Sequence, residues 1–170
     1  MLAKQHAIVV IGVAGSGKTT IARALAHHYG HVFLDADDYH TPDAKAQMAS
    51  GVPLTDAQRE PWIGVLEDEL RKYVRPGRSC VLAFSGLRAA HRQRLREIGV
   101  PTRFVFLHAP PSVIAARLAQ RRDHFMPVQL LDPQFDALEL PTAEPDVIWA
   151  DASCSPTKVL ETVIAALEEP

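Results

Sequence analysis

Five short apolar runs recur along the chain, separated by longer stretches in which polar and apolar residues mix. Each run is nearly continuous in apolar residues instead of alternating with polar ones, which is typical of strands buried on both faces of a parallel sheet. The pattern therefore predicts five strands, at residues 7–11, 32–35, 80–84, 103–107 and 147–149.

Helical spacing fills the stretches between these runs. Apolar residues three and four positions apart form one stripe between 62 and 73 and another between 113 and 118. The last helix has a clear start, with Ser155 as N-cap and Pro156 in the first turn. Strands that alternate with helices predict an α/β fold, a three-layer α/β/α sandwich around a five-stranded parallel sheet, in a single domain spanning 1–170.

Two segments depart from this alternation. Residues 39–76 are too long for a simple connection and predict a helical insert. The Arg-rich segment 117–127 belongs to a predicted lid region at 117–135. Because ligands gather at the carboxyl ends of the strands in such sheets, we expect both segments to cover a substrate there.

Composition narrows the class of protein. The chain has 170 residues, of which 47% are hydrophobic and 22% charged, as in ordinary globular proteins. A net charge of −2 leaves no general basic face, so we expect no nucleic-acid partner. No apolar run approaches the ~20 residues of a membrane span, and no cleavage site follows the N-terminus. With two cysteines and no C-x-x-C pair, we expect reduced thiols and a cytoplasmic protein.

The sequence IGVAGSGKTT at 11–20 fits the phosphate-loop pattern G-x-x-x-x-G-K-[ST]. It lies between a predicted strand and a predicted helix that ends naturally at Gly30, which is the context the motif requires. Backbone N–H groups surround the phosphates, Lys18 reaches the β- and γ-phosphates, and Thr19 ligates Mg²⁺. ATP and Mg²⁺ are therefore expected. The predicted nucleotide-binding residues in the loop are Gly12, Val13, Ala14, Gly15, Ser16, Gly17, Lys18, Thr19 and Thr20.

Carboxylates follow the second predicted strand, in FLDADDYH. If the strand geometry continues, Asp35 and Asp37 emerge on one face beside the phosphate loop. Like charges so close need a cation between them, and Mg²⁺ held by Asp35 and Thr19 would supply it. Asp37 could then accept the proton of an attacking hydroxyl. The alternative is an aspartate cluster that caps a turn. We expect Asp38 to point to solvent.

Arg117 and Arg121 lie four positions apart on a predicted helix. Like charges at this spacing destabilise an isolated helix by roughly 0.2–0.5 kcal/mol, so we infer an anionic partner. Over a polyphosphate, these arginines would stabilise the charge on the transferring group. A solvated basic helix end remains the alternative for Arg117, because the helix dipole favours arginine there.

These segments together resemble the gluconokinase family, small P-loop sugar-acid kinases related to shikimate kinase. The resemblance covers nearly the whole chain. It rests on GVAGSGKT and FLDADDYH and, more specifically, on KAQMASGVPLTDAQREPW, SGLRAAHRQRLR and RLAQRRDHFMPVQLLDPQFDALELP. It implies ATP-dependent phosphorylation of D-gluconate at the 6-hydroxyl. Many relatives pair through their helices, so a homodimer is also an expectation.

The resemblance assigns roles to particular residues. It implies catalytic roles for Lys18, Asp37 and Arg121. The residues implied to bind the sugar acid are Asp37, His40, Arg59, Ser85, Arg88, Arg92 and His124. Guanidinium groups and several hydrogen-bonding groups suit a substrate with a carboxylate and many hydroxyls. We expect Arg94 and Arg96 to be solvated.

Several positions depart from the family pattern. They include Thr41 for a proline, Arg88 for a lysine, His91 for a tyrosine and Asp123 for a glycine. These positions lie near the predicted acceptor pocket and not in the phosphate loop. A related sugar acid and shikimate therefore stay open as acceptors, although the 48–62 segment argues against shikimate kinase and adenylylsulfate kinase. A nucleotide-binding switch ATPase would need a water-positioning residue, which we do not find after a strand.

Overall fold

A five-stranded sheet forms the centre of the computed structural model, which describes residues 5–121 and 131–170. The strands are β1 (Ala7–Ile11), β2 (Val32–Asp35), β3 (Cys80–Ala83), β4 (Thr102–His108) and β5 (Val147–Asp151). They are parallel and lie in the order β2-β3-β1-β4-β5. Ala7 of the central strand faces Cys80 on one side and Thr102 on the other. The predicted parallel sheet is confirmed, with every strand within two residues of its predicted bounds.

Helices cover both faces of this sheet. They are α1 (Lys18–Tyr29), α2 (Pro42–Ala49), α3 (Asp56–Tyr73), α4 (Ala89–Arg96), α5 (Pro111–Gln120), α6 (Leu131–Ala137) and α7 (Pro156–Glu168). On one face, α3 and α4 pack over β1, β3 and β4, and on the other face α1 and α7 pack over the same strands. The predicted three-layer arrangement is therefore confirmed. In the described ranges, no helix is both long enough and apolar enough to cross a bilayer.

Local signals set the helix ends as predicted. Gly30 ends α1 in the left-handed conformation, with φ of 67°, and its N–H bonds back to the carbonyls of Ala26 and His27. At the start of α7, Ser155 Oγ accepts a hydrogen bond from the Lys158 amide at 3.3 Å. Both caps depend only on residues within one turn, which explains why the sequence identified them.

The predicted insert at 39–76 divides into two parts. Its first part, around α2, has a small apolar cluster of its own, formed by Met48 and Leu54. Its second part is α3, whose stripe between 62 and 73 enters the main core beneath the sheet. Only the first part is therefore an insert in the structural sense, because α3 is one of the layers of the fold.

Candidate active site

The phosphate loop turns from β1 into α1 at the carboxyl edge of the sheet. Gly12 lies where a side chain cannot fit, since a Cβ atom there would come within 2.7 Å of Ser16 Oγ and 2.9 Å of the Leu107 carbonyl oxygen. Gly17 has φ of 96° immediately before α1, a conformation that costs glycine little. The two glycines allow the tight turn that the motif predicts.

The start of α1 has the features of an anion site. Within the described residues no side chain caps it, and its first turn contains no acidic residue. The N–H groups and the dipole of a helix N-terminus attract negative charge. Ser16 Oγ is buried and has no hydrogen-bond partner in 5–121 or 131–170, whereas buried hydroxyls are ordinarily bonded. These residues fit a bound phosphate, whose oxygens would supply the missing partners.

Lys18 lies in the same cleft. Its Nζ atom donates a hydrogen bond to the Val13 carbonyl oxygen at 3.0 Å. Burial lowers the pKa of Lys18, while the neighbouring carboxylates of Asp37 and Asp35 oppose that shift. The ammonium group therefore contacts the loop backbone and is close enough to two acidic side chains to feel their charge.

The two aspartates reach the cleft through a turn and not through strand geometry. The chain leaves β2 at Asp35 and forms a short 3₁₀ helix, Ala36–Tyr39, so the predicted continuation of the strand is wrong. Asp35 caps this turn, because its Oδ1 accepts a hydrogen bond from the Asp37 amide at 3.0 Å. Both carboxylates nevertheless line the cleft, and Asp38 is exposed as predicted.

Thr19 and Asp35 form a pair of oxygen donors. Thr19 Oγ1 donates to Asp35 Oδ2 at 3.2 Å, so the hydroxyl and the carboxylate are already adjacent. Mg²⁺ prefers oxygen ligands and is often held by one or two protein groups together with substrate phosphates and water. The donor chemistry of this pair fits Mg²⁺ beside a bound polyphosphate.

Asp37 has an acidity suited to proton transfer. Burial raises its pKa to about 6, with Lys18 acting against this shift and Asp35 and Asp38 adding to it. The carboxylate is ionised at pH 7, because that pH exceeds its pKa. A base whose pKa lies near the working pH is effective in general-base catalysis.

An aromatic stack fixes the turn that carries Asp37. Trp62 Nε1 donates to the Ala36 carbonyl oxygen at 2.8 Å, and the indole stacks on the His40 ring with centroids 4.0 Å apart. Burial lowers the pKa of His40 to about 4, so its ring is neutral at pH 7. A neutral imidazole offers one hydrogen-bond donor and one acceptor to a hydroxyl-rich ligand. Trp62 was not predicted as a site residue, and its only signal was its place in the family-like segment.

Two guanidinium groups that line the cleft, those of Arg59 and Arg88, share one exposed carboxylate beside it. Arg59 Nη1 lies 3.3 Å and Arg88 Nε 3.5 Å from Asp56 Oδ1. Burial lowers the pKa of Arg59, an effect that Asp56 opposes and Arg88 reinforces. Within the described part of the chain, Arg88 Nε has no hydrogen-bond partner. Two cations against one anion leave positive charge for an acidic ligand.

One cleft at the carboxyl edge of the sheet is lined by most of the predicted residues. Those that line it are Ala14, Gly15, Gly17, Lys18, Thr19, Asp35, Asp37, His40, Arg59, Ser85, Arg88 and Arg121. The lining also includes Met48, Leu54, Trp62 and Gln134, which were not predicted as site residues, and His91, which was predicted only to lie near the acceptor pocket. The predicted residues in this lining come from five separate segments of the chain and meet only in the folded protein. His124 lies outside the described residues.

A second cavity adjoins the phosphate loop and is lined by Ser16, Thr20, Arg117 and Arg121, among others. Helix α5 ends at Gln120, and Arg121 follows in extended backbone, so the two arginines do not share a helix face as predicted. Arg117 donates to the Ala152 carbonyl oxygen, so it is not a freely solvated helix end. Arg121 lines both the cleft and this second cavity, and residues of the phosphate loop line both as well.

The predicted role of Arg92 in the acceptor pocket is wrong. Its side chain is 0% exposed, and its guanidinium donates to the Glu144 carboxylate and to the carbonyl oxygens of Gly86, Leu87 and Glu139. An arginine whose donors are occupied by the protein cannot hold a substrate. The partner carboxylate lies 52 positions away, so the local sequence gave no sign of it.

Arg94 and Arg96 are not solvated either. Arg94 pairs with Glu60 and Glu67 of α3, and Arg96 pairs with Glu144 at 2.7 Å and with Asp146 at 2.6 Å. The arginine-rich helix α4 is therefore fastened to its neighbours by ion pairs, and the expectation of a solvated face is wrong.

Replacing Arg92 by methionine is expected to lower the free energy of unfolding by about 3 kcal/mol, since one partner of a buried ion pair is removed and several acceptors lose their donors. Urea denaturation at pH 7 measures the change. Gln93→Met, on the exposed side of the same helix, is the control and should stay within about 0.5 kcal/mol of the parent. A raised KM for a sugar acid, with the free energy of unfolding unchanged, would show that Arg92 binds the acceptor.

Comparison with known proteins shows the family to which the chain belongs. A family model described as an AAA domain matches residues 8–141. A gluconokinase from Gluconobacter oxydans (strain 621H) is 40% identical over 161 residues, which are 95% of this chain and 90% of the relative. A solved gluconokinase structure from Sinorhizobium meliloti 1021 has a TM-score of 0.87 and 35% identity, covering 98% of this chain and 93% of that one.

A solved sugar kinase structure from Janibacter sp. HTCC2649 is similar to the same extent. It has a TM-score of 0.89 and 36% identity, covering 96% of this chain and 94% of that one. The fold thus agrees with matches that span nearly the full length of each partner. The chain belongs to the gluconokinase family of P-loop kinases.

Proposed function

We propose that this protein transfers the γ-phosphoryl group of ATP to the 6-hydroxyl of D-gluconate, forming 6-phospho-D-gluconate and ADP. The observation that carries the proposal is that Lys18, Asp37 and the arginine pair Arg59 and Arg88 share one cleft. Such a cleft can recognise a phosphate chain, a hydroxyl and a carboxylate at the same time. The relatives named as gluconokinases support the same acceptor.

The residues divide the work of the transfer. Arg59 and Arg88 bind the carboxylate of the acid through charge-assisted hydrogen bonds, and neutral His40 orients a hydroxyl. Asp37 accepts the proton of the attacking hydroxyl as the new P–O bond forms. Lys18 and Arg121 stabilise the negative charge on the transferring group.

The cofactor and the nucleotide are part of this proposal. Thr19 and Asp35 would hold Mg²⁺, which supplies charge neutralisation on the β- and γ-phosphates when bound. The cavity lined by Thr20 and Arg117 would take the nucleoside half of ATP. We also propose that the chain acts as a single domain in the cytoplasm, while the expected homodimer stays a prediction for ultracentrifugation to test.

A coupled ADP-release assay tests the function. D-Gluconate, related sugar acids, shikimate and adenylylsulfate are compared as acceptors, with a reaction lacking any acceptor as the control. The proposal expects D-gluconate to give the highest kcat/KM and the control to give little ADP. Equal ADP release without an acceptor would mean that the phosphate goes to water. A higher kcat/KM for shikimate than for D-gluconate would mean that shikimate is the acceptor.

Arg121→Ala is expected to lower kcat by roughly 10-fold or more while raising the KM for gluconate much less, because its charge is needed mostly in the transition state. Steady-state kinetics with gluconate as the varied substrate give both constants. Arg71→Ala, on the exposed face of α3, is the control and should behave as the parent. A change confined to the KM for gluconate would show that Arg121 binds the acceptor and does not stabilise the transferring group.

A further inference from the structure

Gln134 bonds directly to the phosphate loop, although 120 positions separate the two in the chain. Its side-chain carbonyl oxygen accepts a hydrogen bond from the Ala14 amide at 2.6 Å. Ala14 is only 6% exposed and packs in an apolar cluster with Leu118 of α5 and Leu131 of α6. A backbone amide buried in this way needs a hydrogen-bond partner, and Gln134 provides it.

The bonded amide belongs to the peptide group that also orients Lys18. The carbonyl that accepts from Lys18 Nζ is that of Val13, and the N–H that donates to Gln134 is that of Ala14. These two groups are the ends of one planar peptide unit. Gln134 and Lys18 therefore hold the same rigid plane from opposite sides, so that a rotation of this plane would move the carbonyl away from the lysine.

The segment that follows Gln134 holds the acceptor side of the cleft. Glu139 donates its amide to the Leu87 carbonyl oxygen at 2.7 Å, and its side chain accepts from the Ala89 amide at 3.2 Å. These two residues flank Arg88, one of the arginines proposed to bind the acid. Residues 131–139 thus contact both the phosphate loop and the loop around Arg88, which we call the acceptor loop (residues 85–89).

We propose that Gln134 is a positioning residue for phosphoryl transfer, which fixes the Val13–Ala14 peptide so that docking of α6 sets the phosphate loop against the acceptor pocket. The inference rests on the proposed kinase function and adds a residue to it. Its physical basis is the sensitivity of in-line transfer to placement, since a displacement of about 1 Å can cost about 10²-fold in rate.

Gln134→Leu removes the acceptor oxygen and keeps much of the side-chain volume. We expect kcat to fall about 10-fold or more, the KM for gluconate to stay within about 2-fold, and the thermal midpoint to fall by no more than about 4 °C. Asp136→Asn, on an exposed position of the same helix, is the control and should leave all three values unchanged. An unchanged kcat, or a raised KM for gluconate with kcat intact, would overturn the proposal.

Hydrogen exchange at the Ala14 amide, followed by NMR without any acceptor, tests the bond itself. The amide should exchange at least about 10-fold faster in Gln134→Leu than in the parent, and Gln134→Glu, which keeps an acceptor oxygen, should restore its protection. Equal protection in Gln134→Leu and the parent would overturn the proposal. Because this measurement does not need turnover, it tests whether Gln134 fixes the Val13–Ala14 peptide even if the parent proves inactive on gluconate, a result that counts against the proposed function alone.

Discussion

Asp37→Asn is expected to lower kcat with gluconate by roughly 10²-fold or more, within the usual range for removal of a general base. The substitution keeps the shape of the side chain and removes both the charge and the proton-accepting oxygen. The Asp37 carboxylate lies in the cleft with Lys18. The backbone amide of Asp37 donates to Asp35 Oδ1 at 3.0 Å, which fixes the residue where its carboxylate can receive a hydroxyl proton. ATP affinity should change little, because the loop glycines and the bond from Lys18 to the Val13 carbonyl do not involve Asp37.

Single-turnover kinetics and calorimetric titration with a non-hydrolysable ATP analogue separate these two effects. Asp38→Asn is the matched control, since Asp38 is the adjacent exposed carboxylate, and its kcat should stay within about 3-fold of the parent. Normal turnover of gluconate by Asp37→Asn would remove Asp37 from the chemistry.

The pH dependence of the parent provides an independent check. Asp37 acts as a base only when it is ionised, and burial raises its pKa to about 6. The value of kcat/KM should therefore fall as the pH drops through about 6, because the protonated carboxyl cannot accept a proton. The same acid limb should be absent from the residual activity of Asp37→Asn. A limb that persists in this variant belongs to another group.

Lys18→Ala is expected to reduce turnover by roughly 10³-fold or more and to leave the fold intact. The side chain donates its hydrogen bond to the loop carbonyl of Val13 and lines the cleft, and it belongs to none of the described apolar clusters, so its loss should not disturb the core. Its loss removes a fixed positive charge from the place where negative charge spreads during transfer.

Turnover and the far-ultraviolet circular dichroism spectrum are measured together for this variant. Lys72→Ala is the control, because Lys72 lies exposed on α3 and should leave both unchanged. Near-normal kcat in Lys18→Ala would contradict the kinase mechanism as a whole. Loss of the helical circular dichroism signal would mean that Lys18 supports the fold.

The parts of this protein that follow from its sequence are those whose causes lie within a few residues. A buried strand needs a run of apolar side chains, a helix end needs Gly30 or Ser155, and a phosphate loop carries its own glycines. The strands, the caps and the loop between β1 and α1 were therefore predicted within a few positions. The resemblance added the residues of the acceptor side, of which Arg59 and Arg88 do line the cleft.

The aspartates show the limit of local reasoning. Their place beside the phosphate loop was predicted correctly, but the strand geometry was wrong, because Asp35 accepts a hydrogen bond from the Asp37 amide and starts a 3₁₀ turn. The Asp37 amide can bond either to the Asp35 side chain or to a neighbouring strand. Which bond forms depends on whether β3 extends far enough to pair with it. Burial, which raises the pKa of Asp37, likewise comes from residues that are distant in the chain.

The roles of Arg92, Trp62 and Gln134 were decided by the tertiary structure alone. An arginine after an acceptor loop can bind a substrate or a buried carboxylate, and the local sequence is the same in both cases. The segment that carries Glu144 packs against α4, so the guanidinium of Arg92 is desolvated and its donors are used within the protein. The sequence by itself predicted a phosphate-binding loop and its place between β1 and α1. Which polar side chains face the ligand was settled only by packing, because a buried donor must find its partner among whatever groups the fold brings beside it.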